Sequence, residues 1–198
     1  FNDEEFISSA DDYILKLSFQ LCKITFPGGY QKEIITTWPQ MVKDMIEDDN
    51  YGKYIKKAEK MAEKVIDVKS ISQLPSLQRF DTVINYVKQN YTWDQYRRIY
   101  SSKSVKDLIS SKLGNSADLN LFTIGLLNAV GIKTYPVMIS TRDHGKIWDE
   151  YPFFNFFNYS VILSMIDSVP VLSDVTNRYL QNNRIPMYCI NDKGLIIQ

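Results

Sequence analysis

The chain has 198 residues, 44% apolar and 23% charged, with 23 basic and 23 acidic side chains and a formal net charge of zero. Such a chain suits one large domain, or one domain and part of a second. A general electrostatic nucleic-acid binder is excluded, since it carries a basic excess. No apolar run approaches the ~18 residues of a membrane-spanning helix; Cys22 and Cys189 make neither a disulfide scaffold nor a zinc pattern, and one histidine, His144, excludes a histidine pair.

Aromatic residues reach 13%, with 13 Tyr and 10 Phe, which we read as an aromatic-rich core and surface in preference to a carbohydrate platform. The first residue is Phe1 and no charged-then-apolar leader follows, so the chain is expected to be a piece of a longer protein whose targeting signal has been removed.

From Tyr13 to Leu21 apolar and polar residues alternate, the period of a half-buried strand. The phase breaks at Lys23, Pro27-Gly28-Gly29 makes a turn, and a second strand is expected over Ile34 to Thr37. Residues 1–37 therefore read as the C-terminal edge of a preceding β domain or as a β extension, because an isolated hairpin is marginal in water. Helical character starts near Trp38-Pro39, proline being tolerated in a first turn. The clearest helix covers 51–66. Tyr51, Tyr54, Ile55, Ala58, Met61, Ala62, Val65 and Ile66 share one face, and a Lys/Glu run occupies the solvated one. Residues 70–77 are polar and contain Pro75, which makes 38–77 a helical connector. A third helix is predicted from Gln78 to Lys88 with Phe80, Val83, Ile84 and Val87 inward.

Ser104 precedes Asp107 by three residues, a capping-box-like start for a short helix that Gly114 is expected to break. From Ala117 to Val130 the chain is apolar except for Asp118, Asn120, Thr123 and Asn128, the composition of a central buried helix, and Gly131 closes it. Strands follow over 132–140, 157–166 and 170–176, with turns at Arg142-Asp143-His144-Gly145 and Asp167-Ser168, and Leu195-Ile196-Ile197 adds a fourth. Helices, then a buried helix feeding antiparallel strands, make an α+β domain over 78–198.

A nucleophile at the start of that buried helix would meet free backbone N–H groups and a partial positive charge, which stabilise an anion. Ser116 stands there. The stretch Gly114-Asn-Ser-Ala-Asp-Leu-Asn120, the apolar helix, Gly131-Ile132 and Tyr135-Pro136-Val137 together resemble the transglutaminase-like core. The resemblance continues through Ser140-Thr141-Arg142, Phe157-Asn158-Tyr159 and Leu172-Ser173-Asp174-Val175-Thr176, over roughly 78–190. Tyr91-Thr92-Trp93 and Tyr151-Pro152 fit the branch found in large bacterial envelope proteins with a β domain ahead of the transglutaminase-like one. The resemblance implies a papain-like fold, in which a helix carries a catalytic cysteine, one strand a histidine and the next strand an aspartate. On this chain those positions fall on Ser116, Tyr159 and Asp174.

Two of the three carry-overs therefore fail. A serine hydroxyl needs a base to become a nucleophile. A tyrosine, ionising near pH ~10, is protonated at neutral pH and is a poor base. The structural roles open to these residues are a helix N-cap for Ser116, a hydrogen-bonded core aromatic for Tyr159, a turn or strand-end carboxylate for Asp174 and a strand-start residue for Asn158. A Ser116–His144–Asp174 triad is disfavoured because His144 lies in a turn motif. Cys22 and Cys189 read as small buried apolar residues. One histidine and scattered carboxylates give no metal-ligand spacing, and no cofactor is expected.

The resemblance thus implies a catalytically degenerate domain, acting as a binding or scaffolding module in the periplasm or cell envelope of a Gram-negative bacterium. Its partner would be a peptide, a glycan or a neighbouring domain, held in a cleft beside Ser116, Asn158, Tyr159, Asp174 and Trp93. The competing readings are a Ser116-dependent hydrolase or acyl transferase on peptide or amide substrates, and a purely structural support domain.

Overall fold

The structure, a computed structural model, describes residues 17, 19, 21, 23–33 and 37–198. Its centre is helix α6, Ser116–Ala129, in which every residue from Ser116 to Leu127 is buried. Its sequence is apolar on all sides, so it has no solvated face to offer and other elements must surround it. Its start is fixed by a reciprocal cap. The Asn115 side chain accepts from the Asp118 N–H, and the Asp118 carboxylate accepts from the Asn115 N–H. Asn115, not Ser116, is therefore the N-cap, and Ser116 is the first residue inside the helix.

Against α6 pack α2 (Gly52–Met61, continued by a 3-10 turn), α4 (Ser76–Asn90) and α5 (Val105–Ser111), while α1 (Trp38–Glu47) packs on α2 and α3 (Val68–Ser72) on α4. The helices expected as a connector share one core with α6, to which they contribute Met41, Met45, Tyr51, Tyr54 and Ala58. The closest approach is at Gly125. A Cβ there would lie 2.6 Å from Ala58 Cβ and 2.7 Å from Ile55 O, so only glycine lets α2 sit this near.

On the other side lies an antiparallel sheet in the order β7-β6-β5-β8, built from β5 (Thr134–Ile139), β6 (Tyr159–Ile166), β7 (Val169–Ser173) and β8 (Gly194–Ile196). The β6–β7 turn, Asp167-Ser168, has φ of 49° and 71°, as a two-residue hairpin requires. A short parallel pair joins β3 (Thr92–Trp93) to β4 (Leu113–Gly114). Helix α5 does not run on to Gly114 as expected. It stops at Lys112, whose left-handed φ of 55° caps it, and Gly114 belongs to β4.

The N-terminal strands also differ from expectation. The observed hairpin pairs β1 (Lys23–Thr25) with β2 (Gln31–Glu33) around the Pro27-Gly28-Gly29 turn. The strand expected over 34–37 lies mostly outside the described residues, as does most of 13–21. Of the latter, Leu17, Phe19 and Leu21 are exposed rather than half-buried.

Candidate functional site

The start of α6 is closed by the loop that follows β3. Ser116 is fully buried, and its hydroxyl is engaged twice by one residue. It accepts from the Arg98 N–H at 2.9 Å and donates to the Arg98 carbonyl at 3.2 Å. The Ser116 N–H, the donor that could have served an oxyanion, goes to the Tyr96 carbonyl at 3.0 Å. That carbonyl also accepts from the Trp93 indole N–H at 3.0 Å. The same loop is pinned two residues further along the helix. Buried Asp118 Oδ1 accepts the N–H groups of Ser102 (2.8 Å) and Lys103 (3.2 Å), and its Oδ2 accepts the Ser102 hydroxyl (2.9 Å). Negative charge at a helix N-terminus is favourable, and here it ties the loop down.

Tyr159 opens β6 and Asp174 follows β7, so the hairpin return brings them together. The Tyr159 hydroxyl donates to Asp174 Oδ2 at 2.8 Å, and both residues are fully buried. Asn120 of α6 completes the cluster. Its amide donates to Asp174 Oδ2 at 2.7 Å and to the Ser160 carbonyl at 2.9 Å, and its Oδ1 accepts from the Val175 N–H at 3.1 Å. The Thr176 N–H (2.9 Å) and hydroxyl donate to Asp174 Oδ1. The carboxylate is thus held by four donors. Burial first, then the neighbouring Asp174 charge, pushes the Tyr159 phenol well above its ordinary range, so it stays protonated. Burial also pushes the Cys189 thiol far up, away from the thiolate a nucleophile needs.

The other candidates fall elsewhere. Asn158 staples the β5 end to the β6 start. Its amide donates to the Thr141 hydroxyl at 2.7 Å and its Oδ1 accepts the Thr141 N–H at 2.9 Å. His144 lies on an exposed turn, with Nε2 2.8 Å from the Asn155 carbonyl oxygen. Among the described residues no group of three His, Cys, Asp or Glu side chains is placed to hold a metal ion, and no helix is long and apolar enough to cross a membrane.

A cleft of about 450 Å³ opens beside the Asp174 cluster. Of the five residues expected to line it, only Trp93 does; Ser116, Tyr159 and Asp174 are sealed in the interior. Its walls come instead from Lys88 at the end of α4, from Thr176 and Arg178 beyond Asp174, and from Tyr188. The Tyr188 ring meets Tyr159 edge-on at 5.9 Å, and the Arg97 guanidinium lies 4.1 Å from its centre. Arg97 in turn reaches Asp143 at 2.8 Å. Sequence reasoning missed Asn120, Thr176 and Lys88. The signal for Asn120 was present, as a polar residue inside an apolar helix.

The family model described as the transglutaminase-like superfamily matches residues 60–164. The match begins inside α2, takes in Ser116 and Tyr159, and ends in β6 ahead of Asp174. No curated protein matches the chain significantly. Among solved structures, the chain is similar to a candidate protease from Parabacteroides distasonis ATCC 8503, with 14% identity and a TM-score of 0.50 over 70% of this chain and 26% of that one. It is also similar to a candidate cysteine protease from Cytophaga hutchinsonii, with 14% identity and a TM-score of 0.42 over 72% of this chain and 41% of that one. This chain spans about a quarter of the first protein's length. At such identity the likeness speaks for the fold alone. With the family match it supports an α+β, papain-like architecture.

Proposed function

Because this chain belongs to the transglutaminase-like superfamily, we propose that its inherited catalytic positions have been turned to structural use and that the domain works as a binding or scaffolding module. One observation carries this reading: the Ser116 hydroxyl is buried and spends both its donor and its acceptor on the Arg98 backbone. A nucleophile needs a base at its oxygen and room for a substrate carbonyl, and neither is supplied at Ser116. The neighbouring features agree. Tyr159, which the resemblance sets at the family's histidine, keeps its proton and donates a hydrogen bond to Asp174, where catalysis needs a group that removes a proton. The Ser116 N–H, where an oxyanion would be bound, already holds the Tyr96 carbonyl.

What survives is the open cleft next to the Asp174 cluster, of a size ordinary for ligand sites. In this reading it receives a peptide, a glycan or a neighbouring domain, within a bacterial envelope protein. The test is labelling with a serine-reactive fluorophosphonate, with Ser116→Ala beside the wild type. The expected result is no labelling that depends on Ser116. Labelling lost in Ser116→Ala would overturn the reading and establish a Ser116-dependent hydrolase or acyl transferase.

A further inference from the structure

The cleft has a charge character that the family positions do not explain. Lys88 is only 4% exposed and is one of the residues that line the cleft. It donates to the Leu180 carbonyl at 2.7 Å and to Asn182 Oδ1 at 3.1 Å, both neutral acceptors. An ammonium has three donors, so one N–H is left over. Among the described residues Lys88 makes no ion pair. A buried charge without an ionic partner is costly. Burial lowers the Lys88 pKa, with the Asp174 and Asp81 charges acting in the opposite direction.

The remaining walls carry no acid. Arg178, exposed at the rim, adds a second cation, and the other residues lining the cleft are neutral. Arg178 and Tyr179 are presented by a turn in which Asn177 Oδ1 accepts from the Tyr179 N–H at 3.0 Å. Tyr179 is 90% exposed, unusual for so large a ring, and lines the same cleft as Trp93 and Tyr188. The Trp93 N–H is already committed to Tyr96, which leaves its ring as the contact surface.

We propose that this cleft binds the C-terminal end of a peptide, with the terminal carboxylate received by Lys88 and Arg178 and the last side chains lying against Trp93, Tyr179 and Tyr188. The inference rests on the binding-module reading above and names the ligand class of that cleft. A terminal carboxylate supplies the direct ion pair that Lys88 lacks, since the Asp174 and Asp81 charges act on it without reaching ion-pair distance, and charge-assisted hydrogen bonds are the strong ones. A neutral glycan would leave Lys88 without a direct ionic partner. A volume of about 450 Å³ accommodates a few residues and not a folded partner. Amide and hydroxyl groups of Gln95, Asn177 and Thr92, also in the lining, suit a peptide backbone.

The experiment uses the full chain, immobilised, and a pooled library of N-acetylated tripeptides with free C-terminal carboxylates. The same pool with C-terminal amides and a mixture of galacturonate oligomers are run beside it, with retained species read by mass spectrometry. Acids should be retained at least about tenfold over amides, and retention should fall by a similar factor in Lys88→Met. Arg178→Met, at an exposed residue, should keep the wild-type urea midpoint and weaken retention severalfold, so the inference stays testable if Lys88→Met unfolds. Equal retention of acids and amides, retention unchanged in both variants, preference for the galacturonates, or no retention of either peptide pool would each overturn it. None of these results bears on Ser116 labelling, so failure of this inference and failure of the binding-module reading are told apart.

Discussion

The Tyr159 hydroxyl donates to Asp174 Oδ2 over 2.8 Å in the protein interior, joining the first residue of β6 to the residue after β7. Each end of the bond makes the other tolerable: a buried phenol needs an acceptor, and a buried carboxylate needs donors. Tyr159→Phe keeps the ring against Tyr188 and removes only this donor, leaving Asp174 with Asn120 and the two Thr176 groups. We expect a loss of about 1–3 kcal/mol in unfolding free energy, read from urea melts. Coincident melts of the variant and the wild type would show that the remaining donors suffice.

Alkaline pH should unfold the protein through its buried phenols. Burial raises Tyr51, Tyr54 and Tyr159 far above the ordinary tyrosine value and raises Tyr100 to about 12. The phenol is neutral below its pKa. Below pH ~10 both folded and unfolded chains hold the proton and stability is unaffected; above it only the unfolded chain releases protons, so stability falls. Each strongly raised tyrosine contributes about 1.4 kcal/mol per pH unit in that window, and the three most buried together roughly 4. Urea midpoints should be flat from about pH 7 to 9 and drop steeply above about 10. Phenolate absorbance of the core tyrosines should appear only with unfolding; smooth titration of all 13 tyrosines in the folded protein would contradict this account.

The parts of this molecule legible in the sequence are those set by periodicity. The buried helix expected over 117–130 runs Ser116–Ala129, because a stretch between Asn115 and Gly131 that is apolar but for a few short polar residues has few other uses. The Tyr159–Asp174 pairing is legible in the same way, since two strands and a two-residue turn bring those positions together. The N-cap lies one residue earlier than expected because Ser116 and Asn115 are both good caps. Only Asn115 has an acidic residue three positions on, and the reciprocal bond with Asp118 decides between them. The end of α5 escapes a sequence reading because a left-handed Lys112 carries no sequence signal. The loop over 94–103 has no period at all, so the bonds that occupy Ser116 could not be foreseen. Lys88 leaves a faint trace: it follows Ile84 by four residues and so shares its inward face.

Asp118 should be the most sensitive polar side chain in the loop closure. Its two oxygens accept four donors, from Ser102, Lys103 and Asn115. An asparagine must turn its NH₂ group toward one of those sets, placing donor against donor. Asp118→Asn should therefore cost about 2–4 kcal/mol. Asp107→Asn is the comparison: that carboxylate accepts from the Ser104 hydroxyl at 2.7 Å but is exposed, and its loss should cost less than about 1 kcal/mol. Equal effects of the two changes in urea melts would show that the Asp118 network is not what holds the loop.

Ser116→Cys tests whether the first position of α6 retains any nucleophilic character. The introduced thiol would occupy a fully buried site whose helix N-terminal donors are already matched to the Tyr96 and Arg98 backbones. A helix N-terminus lowers a thiol pKa, but burial away from water raises it, and at this site burial is complete. Iodoacetamide should therefore modify that thiol on the order of 100-fold more slowly in the folded protein than in urea, at a rate set by local opening of the 94–103 loop. Buried Cys189 serves as an internal comparison in the same digest. Adding Asp118→Asn should loosen the loop and speed modification at position 116 without changing it at Cys189. Rapid alkylation of the folded single variant, with a midpoint below the usual thiol range, would mean that the site is still built to activate a nucleophile. The serine of the natural chain would then have to be counted as a catalytic residue awaiting its base.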